Sequence, residues 1–287
     1  MLTVSLISPG AMGAALGSRL TGHGVRVLTS LEGRGSASAE RAREAGMQAV
    51  SDDELMEASL FLSVVPPGDA LALARRFAPR LKEATSKPVY VDCNAVNPET
   101  VRRMAEAIAP TGADFVDAGI IGLPPKPNTP GPAIYCSGQR ASAVQVLADH
   151  GLRIREVPGD VGAASALKMS YAGITKGTIA IASAMALGAA HAGMQDALRQ
   201  EMSESQPELL ELLRRMVPDM PSKAWRWVAE MEEIGGFLDS VPGGGDLYRA
   251  VARLYRHIAA DAPDGPDVAA IRSAFTRTAQ GKPAADR

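Results

Sequence analysis

Residues 8–13 read Ser8-Pro9-Gly10-Ala11-Met12-Gly13, after a β-branched apolar run and before a helical stretch. Such a turn aims backbone N–H groups at a helix N-terminus, where a pyrophosphate binds. Gly10 would let the backbone approach the phosphates, and Gly13 would let the helix pack closely on the strand. Ala11 and Met12 complete the expected cofactor-binding turn. Ser8 replaces the first glycine of G-x-G-x-x-G, so an ordinary strand–turn–helix junction is the competing reading of this turn alone.

The tip of the next strand, Thr29-Ser30-Leu31-Glu32-Gly33-Arg34-Gly35-Ser36, selects the dinucleotide. NAD calls for an acid that binds the ribose 2′-hydroxyl, whereas NADP calls for room and positive charge. Ser30 and Arg34 suit a 2′-phosphate, since a guanidinium offers paired donors. Glu32 argues the other way if the loop folds back, and a solvated Arg34 is the plain alternative. The expected cofactor is NADP, with NAD possible. Asn94 ends a later strand, where open α/β sheets place ligands, and its amide could hold the nicotinamide ribose or carboxamide. Val65 and Pro66 could shape the cofactor's ribose side or simply form a rigid loop.

These residues need a scaffold, and the first half of the chain supplies one. Segments 3–7, 25–29, 60–65, 89–92, 115–118 and 133–136 read as strands. Segments 12–22, 36–45, 69–82, 98–109 and 140–149 between them read as helices. Asn97-Pro98 marks one helix start, with asparagine as cap and proline at the first helical position. The alternation implies an α/β class, Rossmann-type, with a mostly parallel sheet covered on both faces. After Pro158-Gly159-Asp160 only helical periodicity continues, broken at Gly193, Pro207, 218–221, 242–245 and 263–266. The reading is therefore a nucleotide-binding domain over 1–158 and an all-helical substrate and dimerisation domain over 159–287. Segment 161–192 is expected to be one long buried helix. Ala224, Trp227, Met231, Ile234 and Leu238 form an apolar stripe on a later one, with Trp225 off that stripe. The polar segment 280–287 is expected to fray.

Composition narrows the classes. The net charge of -2 over 287 residues, with both signs interspersed, gives no field for nucleic acid or anionic membrane. Clusters such as Arg75-Arg76 and Glu232-Glu233 read as solvated helix faces, and Lys176 as a surface residue, with pairing to an anionic group as its alternative. Cys93 and Cys136 have no metal-ligand spacing and suggest no disulfide framework, and the four histidines are scattered. With 46 % hydrophobic and 4 % aromatic residues, the core should be aliphatic and alanine-rich. No apolar stretch reads as a convincing membrane span, because the alanine-rich region carries His191 and follows Lys176. A soluble cytoplasmic protein is expected.

With these residues assembled, the chain resembles the β-hydroxyacid dehydrogenase superfamily, which includes 6-phosphogluconate dehydrogenase, 3-hydroxyisobutyrate dehydrogenase and the imine reductases. The resemblance rests on Gly10-Ala11-Met12-Gly13, Val64-Val65-Pro66-Pro67, Val91-Asp92-Cys93-Asn94 leading to Asn97-Pro98, and Phe115-Val116-Asp117-Ala118 followed by Gly122. It extends to Lys168 in Gly162-Ala163-Ala164-Ser165-Ala166-Leu167-Lys168, which sits where the family carries its catalytic lysine. Beyond residue 200 the run 225–234 looks like a little-characterised branch with its own C-terminal domain. The family's substrate-binding serine–glycine–glycine becomes Ile121-Gly122-Leu123, and the polar residues after its lysine become Tyr171 and Ala172. A 3-hydroxyacid substrate does not follow.

The resemblance implies NAD(P)-linked hydride transfer to or from a small hydroxy or carbonyl compound. Lys168 would move the proton as base or, in reduction, as ammonium acid. A free lysine titrates near 10.4, so a base would need burial to lower it; snorkelling at the surface is the alternative. Tyr171, one helical turn on, either donates a proton or merely packs. Gly119, Ile120, Ile121 and Gly122, together with Thr175, are the candidate substrate contacts. Imine reduction or reductive amination is the second enzymatic reading, and a non-catalytic dinucleotide-binding sensor is the third. The expected partner is a second copy of the chain, bound through the C-terminal helices.

Overall fold

The computed structural model describes residues 1–276; the segment 280–287, expected to fray, lies outside them. The order is β1 (Thr3–Ile7), α1 (Ala11–Gly22), β2 (Arg26–Thr29), α2 (Ser36–Glu44), β3 (Gln48–Ala49), β4 (Leu60–Ser63), α3 (Ala70–Glu83), β5 (Val89–Asp92), α4 (Pro98–Ile108), β6 (Phe115–Ile121), β7 (Ala133–Ser137) and β8 (Arg153–Glu156). All-helical structure follows: α5 (Ala163–His191), α6 (Gln195–Ser205), α7 (Pro207–Met216), α8 (Ala224–Phe237), α9 (Gly244–Asp261) and α10 (Pro266–Phe275).

The strands form one sheet, β3-β2-β1-β4-β5-β6-β7-β8, in which only the β6–β7 pair is antiparallel. The first six follow the doubly wound dinucleotide-binding order. Side chains alternate between faces, as strand geometry requires. Val4, Leu6, Leu60, Leu62 and Val91 pack with Leu16 and Leu20 of α1 on one face. Phe61 and Tyr90 face Phe77 of α3 and Met104 of α4 on the other.

That second face adds a small aromatic group to a core that is otherwise aliphatic. Phe61, Tyr90 and Phe115 are register neighbours on β4, β5 and β6, and they stack at centroid distances of 5.2 and 5.6 Å. Phe77 adds a contact 4.8 Å from Phe61. Each such pair contributes about 1 kcal/mol beyond its buried area. The scarce aromatic residues are concentrated where three parallel strands need flat, bulky cover.

Departures from the expected elements have local causes. The segment expected as a helix over 140–149 is a 3₁₀ helix, Ala141–His150. Its buried residues Ala141, Val144 and Leu147 recur every third position, the period of a 3₁₀ helix and not of an α-helix. Strand β6 runs three residues past the expected Ala118, because its end pairs antiparallel with β7, Ile121 opposite Ala133. β3 is only two residues long. β8 hides its alternation behind charges, with Ile154 buried between exposed arginines.

The chain divides into two compact units, Met1–Tyr171 with Glu233–Gly245, and Ala172–Glu232 with the segment from Asp246. The first continues past residue 158 because the N-terminus of α5 is built into it. Asp117 on β6, fully buried, accepts hydrogen bonds from Gly162 N at 2.9 Å, Ser165 N at 3.0 Å and Ser165 Oγ at 2.6 Å. Ser137 Oγ donates to the same carboxylate at 3.0 Å and accepts from Ala164 N at 3.0 Å. Charge-assisted bonds of this kind are among the stronger ones, and a carboxylate suits the positive end of a helix. Glu233, read from sequence as solvated, accepts from Asn97 N at 2.8 Å and Thr100 Oγ1 at 3.1 Å. Asn97 in turn caps α4 as expected, accepting from Glu99 N and Thr100 N at 2.9 Å.

In the second unit the expected breaks coincide with helix ends. Lys176 is not a surface residue. It pairs with Glu230, whose side chain is buried, and lies 4.9 Å from the Trp227 ring centroid. Tyr255 donates to Lys176 O at 2.6 Å and meets Trp227 edge-on. On α8, Ala224, Met231 and Ile234 are buried as the stripe predicts, and Trp225 is exposed. Helix α5 reaches the length and apolarity of a membrane span by composition alone, which does not make it one, in keeping with the sequence reading. Nor is it buried all round, since Ile174, Ile181 and Met185 are 72, 58 and 61 % exposed.

Replacing Asp117 by alanine would leave several buried donors without an acceptor, each costing about 1–3 kcal/mol. Urea denaturation of Asp117→Ala should therefore show a loss of about 3 kcal/mol or more; under about 1 kcal/mol would contradict this role for the carboxylate.

Candidate active site

The β1–α1 turn has the form of an anion cradle. A Cβ on Gly13 would lie 2.0 Å from Ser8 O, so only glycine permits the helix to start there. A Cβ on Gly10 would meet nothing within 4 Å, which leaves open space above the turn. The first turn of α1 contains no acidic residue and no side-chain cap. The N–H groups of Ala11, Met12 and Gly13 have no intrahelical acceptors, as at any helix start. Arg41 of α2 donates to Pro9 O at 2.9 Å and to Ser38 Oγ at 3.1 Å, tying the turn to the neighbouring helix. A diphosphate fits these residues.

At the tip of β2, Ser30 is buried and its Oγ accepts from Glu32 N at 3.3 Å. Arg34 is exposed, and among the described residues its guanidinium has no partner. Glu32 is engaged. Its Oε2 accepts from Arg76 Nη2 on α3 at 2.7 Å, and the same nitrogen donates to Asp52 Oδ2 at 2.6 Å. Burial of Asp52 opposes its charge, but Ser30, Arg76 and Arg80 outweigh it and hold the carboxyl below its ordinary range.

Asn94, at the end of β5, is nearly fully buried. Its Oδ1 accepts from Val65 N at 2.6 Å, and its Nδ2 donates to Ser63 Oγ at 2.8 Å and to Asp92. The amide oxygen thus holds the loop that carries Val65 and Pro66, while its nitrogen ties Asn94 to the ends of β4 and β5. Asp92 is fully buried and faces Asp117 across the β5–β6 ladder. Burial first, and the Asp117 charge second, push its carboxyl up to about 8, against hydrogen bonds from Asn94 and Ser63.

Lys168 lies on α5 where that helix touches β6. Its Nζ donates to Ile120 O at 2.7 Å. Gly119 makes this possible: a Cβ there would stand 3.0 Å from both Ala164 O and Lys168 Cβ. Gly122 has φ 132° and closes on Pro132, with a built Cβ 3.0 Å from its Cα. The structure therefore brings Lys168 together with Gly119 and Ile120, and Ile121 and Gly122 end the same strand. Tyr171 is half exposed at the end of the first unit. Thr175 belongs to the second unit and donates to Ala172 O at 3.4 Å.

Residues 3–148 match the model for the NAD binding domain of 6-phosphogluconate dehydrogenase. The chain belongs to the β-hydroxyacid dehydrogenase superfamily. Residues 189–258 match a second model, a domain of unknown function. A conserved protein of unknown function, itself described as structurally similar to 3-hydroxyacid dehydrogenases, is 30 % identical with a TM-score of 0.69, over 90 % of this chain and 96 % of that one. The fold is shared with Mycobacterium tuberculosis 3-hydroxyisobutyrate dehydrogenase, at 18 % identity, 95 and 99 % coverage and TM-score 0.71. It is shared also with Streptomyces aurantiacus imine reductase, at 18 % identity, 96 and 100 % coverage and TM-score 0.55. As a member of this superfamily the chain is an NAD(P)-dependent oxidoreductase.

Sequence reasoning missed several residues that build the candidate site. Asp117 was visible only as part of a motif, and its partners Ser137 and Ser165 carried no signal of their own. Arg41 is separated from Pro9, and Asp52 from Arg76, by whole elements of the fold, beyond the reach of local spacing. The Arg75-Arg76 pair looked solvated, yet Arg76 is committed to two carboxylates.

Asp92 has a consequence for stability. Its folded-state value lies above the unfolded one of about 3.9, so the folded chain holds the proton more tightly. The contribution is full below about pH 4 and is lost as pH rises towards about 8. Melting temperatures of wild type and Asp92→Asn should therefore diverge with pH, wild type losing ground across that window. Parallel profiles would contradict a neutral Asp92.

Proposed function

We propose that the protein is an NADP-preferring reductase or dehydrogenase acting at a carbonyl or hydroxyl carbon of a small molecule, with Lys168 as the proton donor and acceptor. The observation that carries this reading is the Lys168 ammonium anchored on Ile120 O beside the Gly119 contact. Gly10, Ala11, Met12 and Gly13 would hold the diphosphate, and Ser30 and Arg34 the 2′-phosphate. Val65 and Pro66, set by Asn94, would flank the ribose. NADPH, when bound, supplies the hydride.

The chain's own part is proton handling and orientation. In reduction the Lys168 ammonium donates a proton to the oxygen that gains negative charge, and in oxidation the neutral amine takes the hydroxyl proton. Ile120 O keeps the nitrogen on the strand that ends in Ile121 and Gly122, the proposed substrate wall, with Tyr171 and Thr175 further along α5. Imine reduction is the second reading. Ile121 supports it, since an apolar side chain in place of the family's serine removes a hydroxyl for a substrate carboxylate.

Titration with NADPH and NADH, followed by fluorescence, tests the cofactor. NADPH should bind more tightly, and Arg34→Ala should weaken NADPH selectively. Lys168→Ala should keep that affinity while losing about 10²–10⁴-fold in turnover. A requirement for an amine in turnover separates the imine reading from the carbonyl one. Binding of neither dinucleotide would sink both.

We further infer a soluble cytoplasmic homodimer. Buried free Cys93 and Cys136 suit a reducing compartment. Ile174, Thr178, Ile181 and Met185 recur at alternating four- and three-residue steps on the open side of α5, the spacing of a helix–helix seam. Sedimentation at micromolar concentration should give twice the chain mass, and Ile181→Glu should halve it. A wild-type monomer would refute the dimer.

A further inference from the structure

The loop after β2 contains one carboxylate, Glu32, and in a dinucleotide-binding fold an acid there favours NAD. A free Glu32 would accept the ribose 2′-hydroxyl and repel a 2′-phosphate. Here that carboxylate is held on α3 by Arg76. An ion pair with a partner as exposed as Glu32, at 69 %, is weak when both side chains must be ordered to form it. Arg76 is already ordered.

Its Nη2 is fixed on Asp52, whose side chain is only 3 % exposed, and its guanidinium lies 5.3 Å from the Phe77 ring centroid. Asp52 is itself steadied by Arg80 at 3.8 Å, and Arg80 by Asp53 at 2.9 Å. One N–H of Arg76 thus serves the buried anchor and another serves Glu32. The entropy of fixing the arginine is met by the core, and only Glu32 has to be captured.

We propose that Arg76 is a specificity-determining residue acting through Glu32: it withdraws the loop's only carboxylate from the ribose and leaves Arg34 to a 2′-phosphate. This rests on the NADP reading above. Arg76 is a positioning residue and is not assigned a cofactor contact.

The test measures NADPH and NADH dissociation constants by fluorescence for wild type, Arg76→Ala, Arg76→Lys and the double variant Arg76→Ala/Glu32→Gln. Arg76→Ala should tighten NADH and weaken NADPH, moving the preference about tenfold towards NADH, the scale of one charge-assisted hydrogen bond gained or lost. Arg76→Lys should restore part of the wild-type preference, and the double variant should cancel the shift. Arg76→Gln replaces Arg76→Ala if the latter does not fold, with the same expectation. An unchanged preference would overturn the proposal. So would a loss of NADPH affinity that Glu32→Gln fails to reverse, since Arg76 would then touch the phosphate itself. A wild type that prefers NADH instead refutes the underlying NADP reading, which separates the two failures.

Discussion

The buried carboxylate of Asp117 is the interaction on which the rest of the catalytic arrangement depends. It sits on the strand where the sheet changes from parallel to antiparallel pairing, and it terminates two elements at once. Through Ser137 it joins β6 to β7, and through Gly162 and Ser165 it receives the buried donors at the start of a 29-residue helix. A helix that begins on a charge has a defined rotation and a defined height. Lys168, little more than one turn later, inherits both. The nitrogen that is proposed to move a proton is therefore located by an anion that never meets the substrate.

The cofactor end is organised by a different economy of charge. Asp52 and Asp92 are both buried acids, yet they are treated differently. Asp52 is surrounded by arginines and stays charged, so it can hold Arg76. Asp92 has only Asn94, Ser63 and a like charge beside it, and its neutral form is favoured. The same residue type thus serves as an ionic anchor at one strand end and as a hydrogen-bonding spacer at another, according to whether a guanidinium is within reach.

The fold was legible wherever a signal was local. Gly10 and Gly13 after a β-branched run, Asn97-Pro98 before an amphipathic stretch, and the prolines of the second half each mark a boundary through the conformations those residues permit. Of the candidate site, the glycine turn carries a local signal, and Lys168 is singled out only through family resemblance. Arg76 and Glu233 were misread because a charged residue on a helix looks the same whether it faces water or a carboxylate distant in sequence. For Lys176 the surface reading was preferred to the anionic pairing for that reason too, its partner Glu230 being on another helix. Ala141, Val144 and Leu147 show the opposite case: the three-residue period was present and points to the 3₁₀ form.

The Gly119 contact has a further consequence for how such a protein can diversify. The helix that bears the lysine rests on the strand backbone to backbone, so its placement is independent of the side chains at Ile121 and Tyr171. Those positions can change size or polarity without moving the nitrogen. A bulkier residue at 119 would lever the whole helix away. On the proposed roles, substrate range can therefore drift through neighbouring side chains while Lys168 stays in register, and a single position without a side chain keeps the two searches independent.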